Sequence, residues 1–161
     1  MAETHPPSSP PSSPSSPVAE RRHWMGVLAR ASAAEIERYL ADIPPPPPHR
    51  RLRGPETGLV MVRGRTGGDG AAFNLGEMTV TRCAVRLEDG RVGHAYVAGR
   101  DARQAELAAL LDALLLDEAA RPAIAAAVIE KLAAAQDARR MGDSRRAAAT
   151  RVQFFTMTQM R

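Results

Sequence analysis

Two groups of residues in this chain are of types and at spacings that could do chemistry. The first is Arg63-Gly64-Arg65 followed by Thr66-Gly67-Gly68-Asp69-Gly70. A glycine loop beside arginines can cradle a phosphate with its backbone N–H groups. Arg63, Arg65, Gly67 and Gly68 are therefore candidate anion-binding residues. The spacing matches neither the P-loop nor the dinucleotide fingerprint, and no Gly-Lys-Ser/Thr follows, so a plain strand connection is the weightier reading. The second group is Glu77, Arg82 and His94, a candidate polar cluster. Metal chemistry finds no support. His5, His23, His49 and His94 are far apart, and neither Cys-x-x-Cys nor His-Glu-x-x-His occurs. No serine sits in a Gly-x-Ser-x-Gly context. The lone Cys83 falls in a strand pattern and reads as a small buried thiol rather than a nucleophile.

The elements that must position these residues are mostly strands. Glu77 to Leu87 and Arg91 to Ala98 are extended runs joined by Glu88-Asp89-Gly90, and Asp-Gly is a strong hairpin signal. Met78 and Val80 share one face of the first run, whereas Cys83, Val85 and Leu87 share the other. The switch near Thr81-Arg82 predicts a bulge or bend. The alternative is a strand buried on both faces, in which Arg82 and Arg86 would need partners. Counting outward from the turn pairs residue 94 with about residue 85, so the hairpin alone does not join Glu77 to His94. His94 then reads as a structurally bonded strand residue. Upstream, Leu59 to Val62 is a further strand, with a short one at His49 to Arg53.

Helical periodicity flanks this region. Trp24, Val27 and Leu28 form a stripe on a short helix from Arg21 to Arg30. Ser32 and Glu35 make a capping box for a second helix from about Ala33, carrying Ile36, Tyr39 and Leu40. Five prolines, Pro44 to Pro48, end it as a stiff linker. After Gly99, Asp101 caps a helix with an apolar stripe at Leu107, Leu110, Leu111, Leu114 and Leu115. Asp117 caps the next helix, with Pro122 in its first turn and Ile124, Val128, Ile129, Leu132 and Ala135 inward. Phe154, Phe155, Met157 and Met160 end the chain as either a last core element or a docking arm, which makes Phe154, Phe155 and Met157 interface candidates. The expected fold is α+β: an N-terminal helical pair, an antiparallel sheet of three or four strands, then two long C-terminal helices. Residues 1–18 are Pro- and Ser-rich and read as a disordered tail, with residues 19–161 as a single domain.

Composition narrows the function classes. With 161 residues, 44% hydrophobic but only 4% aromatic, the core must rest on Ala, Leu, Val and Ile, and part of the fold is expected to lean on a partner. No apolar run is long enough to span a membrane, no signal peptide is evident, and the single cysteine suits a reducing cytoplasm. The net charge of +4 would permit nucleic-acid binding, but all its cations except Lys131 are scattered arginines with no nucleic-acid-binding motif.

Three segments, GLVMVRGRTGG, FNLGEMTVTRCAVRL and GRVGHAYVAGRD, resemble the PhnG family, a subunit of the bacterial carbon–phosphorus lyase core complex. The resemblance covers about residues 20 to 158. It implies a structural subunit acting with PhnH-, PhnI- and PhnJ-like subunits and an accessory PhnL-like ATPase. Together these displace adenine from ATP by a phosphonate, giving a ribose 1-phosphonate 5-triphosphate. ATP would be a co-substrate of the complex, and this chain would bind no cofactor. The family's iron–sulfur chemistry belongs to the PhnJ-type subunit, and this chain lacks the cysteine cluster such a site needs. The resemblance transfers no catalytic residue. The reading from a different class is a free-standing basic module for nucleic acid.

Overall fold

The computed structural model describes residues 16–65 and 70–150. Ser16 is the N-cap of the first helix, its side chain accepting the Ala19 N–H at 3.2 Å. Pro17 follows where a missing N–H costs nothing, so α1 runs Pro17–Leu28. The helix thus starts earlier than Arg21 and takes in Pro17 and Val18, which the sequence assigns to the tail. The stripe of apolar residues marks only the buried part of α1, whereas its cap lies upstream of that part. The predicted capping box forms as expected: Glu35 accepts the Ser32 N–H at 2.9 Å and opens α2, Ala33–Leu40.

Past the prolines, β1 (His49–Arg65), β2 (Ala72–Leu87) and β3 (Val92–Ala98) form an antiparallel meander in the order β1-β2-β3. The two short strands expected before residue 63 are one long strand. It survives Gly54-Pro55 by breaking register twice, between Arg51 and Arg53 and between Arg53 and Glu56. Pro55 has no N–H for the ladder, and an edge strand with bulges is where such a residue fits. Register breaks are therefore on β1, while β2 pairs regularly with β3 from Val80 to Arg86. The expected bulge at Thr81-Arg82 is absent, and the irregularity sits on the strand opposite. A third break, between Val62 and Arg63, leaves Leu75 as an extra residue on β2. In the turn, Gly90 has φ 92°, and Asp89 Oδ1 accepts the Arg91 N–H at 3.0 Å.

Asp101 caps α3, Ala102–Leu115, by accepting the Gln104 N–H at 2.9 Å. Within α3 only Ala102, Arg103 and Glu106 escape burial. A helix buried all round lies between layers rather than on a surface. One side of α3 packs on β2 and β3, and the other meets α1 and α2. Gly93 of β3 makes this approach feasible: a Cβ there would lie 2.0 Å from Ala109 O and 2.4 Å from Ala113 N. Asp117 caps a turn rather than a helix, accepting from Ala119 N at 3.0 Å and Ala120 N at 3.3 Å. The helical run that follows comprises α4 (Arg121–Ile124), a π-helical turn (Ala125–Ile129) and α5 (Glu130–Ala149). Among the described residues no helix is long and apolar enough to cross a membrane.

Two outcomes follow from this packing. Gly93→Ala forces its methyl group against backbone atoms that cannot swing aside, so urea unfolding of the lone chain should register a loss at or above the upper end of about 1–3 kcal/mol. Gly76→Ala, with nothing within 4 Å, should change stability little. The second concerns acid. The Ser32 backbone N–H, then Arg139 of α5, hold the Glu35 carboxyl down to about 2. A carboxylate depressed on folding stabilises fully above its unfolded value of about 4.3 and progressively less as pH falls to its folded value. Glu35→Gln should therefore flatten the stability profile of the chain between about pH 4.5 and 2, leaving the neutral-to-alkaline limb unchanged.

Candidate functional site

The most constrained polar group among the described residues is one that the sequence reading passed over. Asp112 lies in α3 amid Leu110, Leu111 and Leu114, with a fully buried side chain. Its Oδ1 accepts Arg21 Nε at 3.1 Å and Trp24 Nε1 at 2.8 Å. Its Oδ2 accepts Arg21 Nη2 at 2.7 Å and the His94 backbone N–H at 2.9 Å. A carboxylate offers about four acceptor positions, and here four donors are aimed at them. The hydrogen bond to Asp112 also makes Arg21 more basic than usual. This carboxylate has no lone pair left for a substrate and acts as an anchor between α1, α3 and β3. An acid set inside a leucine run was the available signal, since a buried charge demands partners.

The second feature is the sheet face turned away from α3. Cys83, Val85 and Leu87 point into the core, so Arg82, Ala84 and Arg86 point outward. Register places Arg50 opposite Arg86, Arg53 opposite Ala84, and Glu56 opposite Arg82. On the other side, Tyr96 is opposite Arg82, and His94 opposite Ala84. Glu56 lies 3.5 Å from Arg53 and 3.4 Å from Arg82. The Nε atoms of Arg82 and Arg86 are buried without a hydrogen bond.

The third feature is an arm. β3 ends opposite Val80, so the stretch of β1 from Leu59 onward and β2 before Thr79 continue as a two-stranded ribbon. Leu59, Met61, Phe73, Leu75 and Met78 are exposed on it.

The predicted site residues distribute as follows. His94 pairs with Ala84, one residue from the position counted from the turn. Arg82 and His94 share the outer face, but Glu77 pairs with Met61 out on the arm and has the opposite parity on β2, so the three are not brought together. Arg63 pairs with Asn74, and Arg65 Nη1 donates to Gly70 O at 3.1 Å. Gly67 and Gly68, like Phe154, Phe155 and Met157, lie outside the described residues. Cys83 is buried, its Sγ donates to Arg53 O at 3.3 Å, and desolvation pushes its thiol pKa up, which disfavours the thiolate. Glu106 on α3 takes both Nε and Nη2 of Arg51 at 2.8 Å, and that pairing lowers its carboxyl pKa.

Comparison with known proteins adds the following. The family model described as "Phosphonate metabolism protein PhnG" matches residues 19–159. A curated protein of Rhizobium meliloti (strain 1021), "Alpha-D-ribose 1-methylphosphonate 5-triphosphate synthase subunit PhnG", is 49% identical over 140 residues, covering 87% of this chain and 89% of its own.

The Asp112 anchor predicts its own measurement. Asp112→Ala leaves the partly exposed Arg21 guanidinium and the buried Trp24 indole N–H without acceptors, and should cost about 3 kcal/mol in urea unfolding of the isolated chain. Trp24→Phe keeps the ring and removes one donor, and should cost about 1–2 kcal/mol. Equal small losses for both would show that the carboxylate is not what holds α1 to β3.

Proposed function

This chain belongs to the PhnG family of phosphonate metabolism proteins, and we propose that it serves as a structural subunit of a ribose 1-methylphosphonate 5-triphosphate synthase. The observation that carries the reading is 49% identity, spread over 87% of this chain and 89% of the relative, to a protein named as a subunit of that synthase. In this reading the assembled complex displaces adenine from ATP with a phosphonate, in the cytoplasm, with ATP as co-substrate. PhnH-, PhnI- and PhnJ-like subunits are the partners, with a PhnL-like ATPase as accessory.

The role of this chain in the complex is architectural. What supports that is how three of its reactive side chains are already engaged. Asp112 is occupied by four donors, Glu106 by Arg51, and the Cys83 thiol by the Arg53 carbonyl of β1. Phe154, Phe155 and Met157 belong to the same proposal as contacts to a partner.

Reconstitution tests the proposal. Partner subunits are mixed with ATP and methylphosphonate, with or without this chain, and adenine release is followed. Omission of the chain should slow release by about a hundredfold, the scale on which misplacing an active site costs rate. The chain alone should release no adenine. Full activity without it would end the proposal, and salt-dependent DNA binding by the chain alone would favour a basic nucleic-acid module instead.

A further inference from the structure

Arg50, Arg53, Arg82 and Arg86 project from one sheet face, on which Glu56 is the counter-charge among the paired positions. Like charges directly opposite on neighbouring strands destabilise a sheet, yet Arg50 stands opposite Arg86, and neither forms an ion pair among the described residues. Arg86 Nε, moreover, is buried and without an acceptor. A fold gains nothing from this arrangement by itself.

The same face continues without a break onto the arm. Met78, Val80, Arg82 and Arg86 have the same parity along a stretch of β2 with no extra residue, and Val60 pairs with Met78. One end of the face is thus cationic, and the other apolar, with Met78 43% and Leu75 61% exposed. Tyr96, 55% exposed, sits at the join, opposite Arg82. Arginine and tyrosine beside an apolar patch is the composition of binding hot spots.

From this we infer that the outer sheet face and arm form a single docking surface for another subunit of the synthase. That subunit presents carboxylates to the arginine end and aliphatic or aromatic side chains to the arm. Charge decides among occupants. A second copy would set arginines against arginines. Residues 151–161 of this chain contain Arg151 and Arg161 and no acid, so they do not complement the face. A small phosphate compound would account for the arginines but not for the adjoining apolar arm.

This inference rests on the subunit reading, and one experiment separates their failures. The full chain is titrated with its co-purified synthase partners, and assembly is followed by light scattering at about 0.15 and 0.5 M salt, across which screening strengthens. Arg86→Glu sets an acid opposite Arg50, so the lone chain should unfold at an unchanged or higher urea midpoint, while assembly at low salt should weaken by about tenfold or more. The wild-type loss of affinity with salt should also be smaller in this variant. Met78→Glu should weaken assembly too, but with the salt dependence of the wild type. If both variants assemble with wild-type affinity, this inference is overturned and the subunit reading stands. If inorganic tripolyphosphate raises the melting temperature of the wild type but not of Arg86→Glu, and both assemble alike, the face belongs to a small phosphate ligand and the inference is again overturned. A wild-type chain that does not assemble overturns both readings.

Discussion

The fold depends on a charge that cannot leave. Asp112 lies in the middle of the most buried helix, and its desolvation would be ruinous if Arg21, Trp24 and the His94 amide were not in place together. Those donors come from α1 and β3, on either side of α3. Helical packing alone would leave α1 free to slide along an alanine-rich surface. The carboxylate removes that freedom, because only one placement of α1 puts both a guanidinium and an indole N–H on it. The same atoms fix the level of β3 relative to α3, where Gly93 lets the strand come against the helix backbone.

The alanines explain why such a device is useful. Ala105, Ala108, Ala109 and Ala113 are buried on α3, and each brings little area out of water. What they give is proximity: small side chains bring backbones close and leave little room for repacking. Cohesion is supplemented at the surface. Arg51–Glu106, Arg103–Glu37, Lys131–Asp42 and Arg139–Glu35 each join different elements. Exposed pairs are individually weak, at about 0–1 kcal/mol. They bridge elements that share few large side chains, which suits a domain whose own core is lean.

Local signals were legible in the sequence wherever the physics was local. The Asp89-Gly90 turn, the capping box of Ser32 and Glu35, and the Asp101 cap each rest on neighbours within a few residues, and each is present. The α+β order followed from the change of hydrophobic period at Gly99. What was not legible depended on partners distant in the chain. β1 runs through Gly54-Pro55 because β2 supplies a ladder on its other side, which no reading of residues 49–65 alone supplies. The face switch on β2 was visible in Met78, Val80, Cys83 and Val85, but it needs no bulge in that strand: Met78 is exposed on the arm, and beyond it Val80 and Ala84 are buried on one face, Cys83 and Val85 on the other. The π-turn at Ala125–Ile129 left no mark in an alanine-rich segment where several periods fit equally well. Of the candidate site, the arginines of the outer face were noticed as scattered cations. Only register gathers them.

The bulges of β1 have a consequence for the chain before it meets a partner. An open strand edge is a template on which any other strand can grow. From His49 to Glu56 that edge is spoiled by two register breaks, a proline and three arginines. From Gly58 to Val62 it is regular, uncharged and aliphatic, with no such guard. Five residues of this kind approach the minimum of a cross-β segment. Among the described residues, this edge of the arm is thus the least guarded against pairing with another copy of the chain.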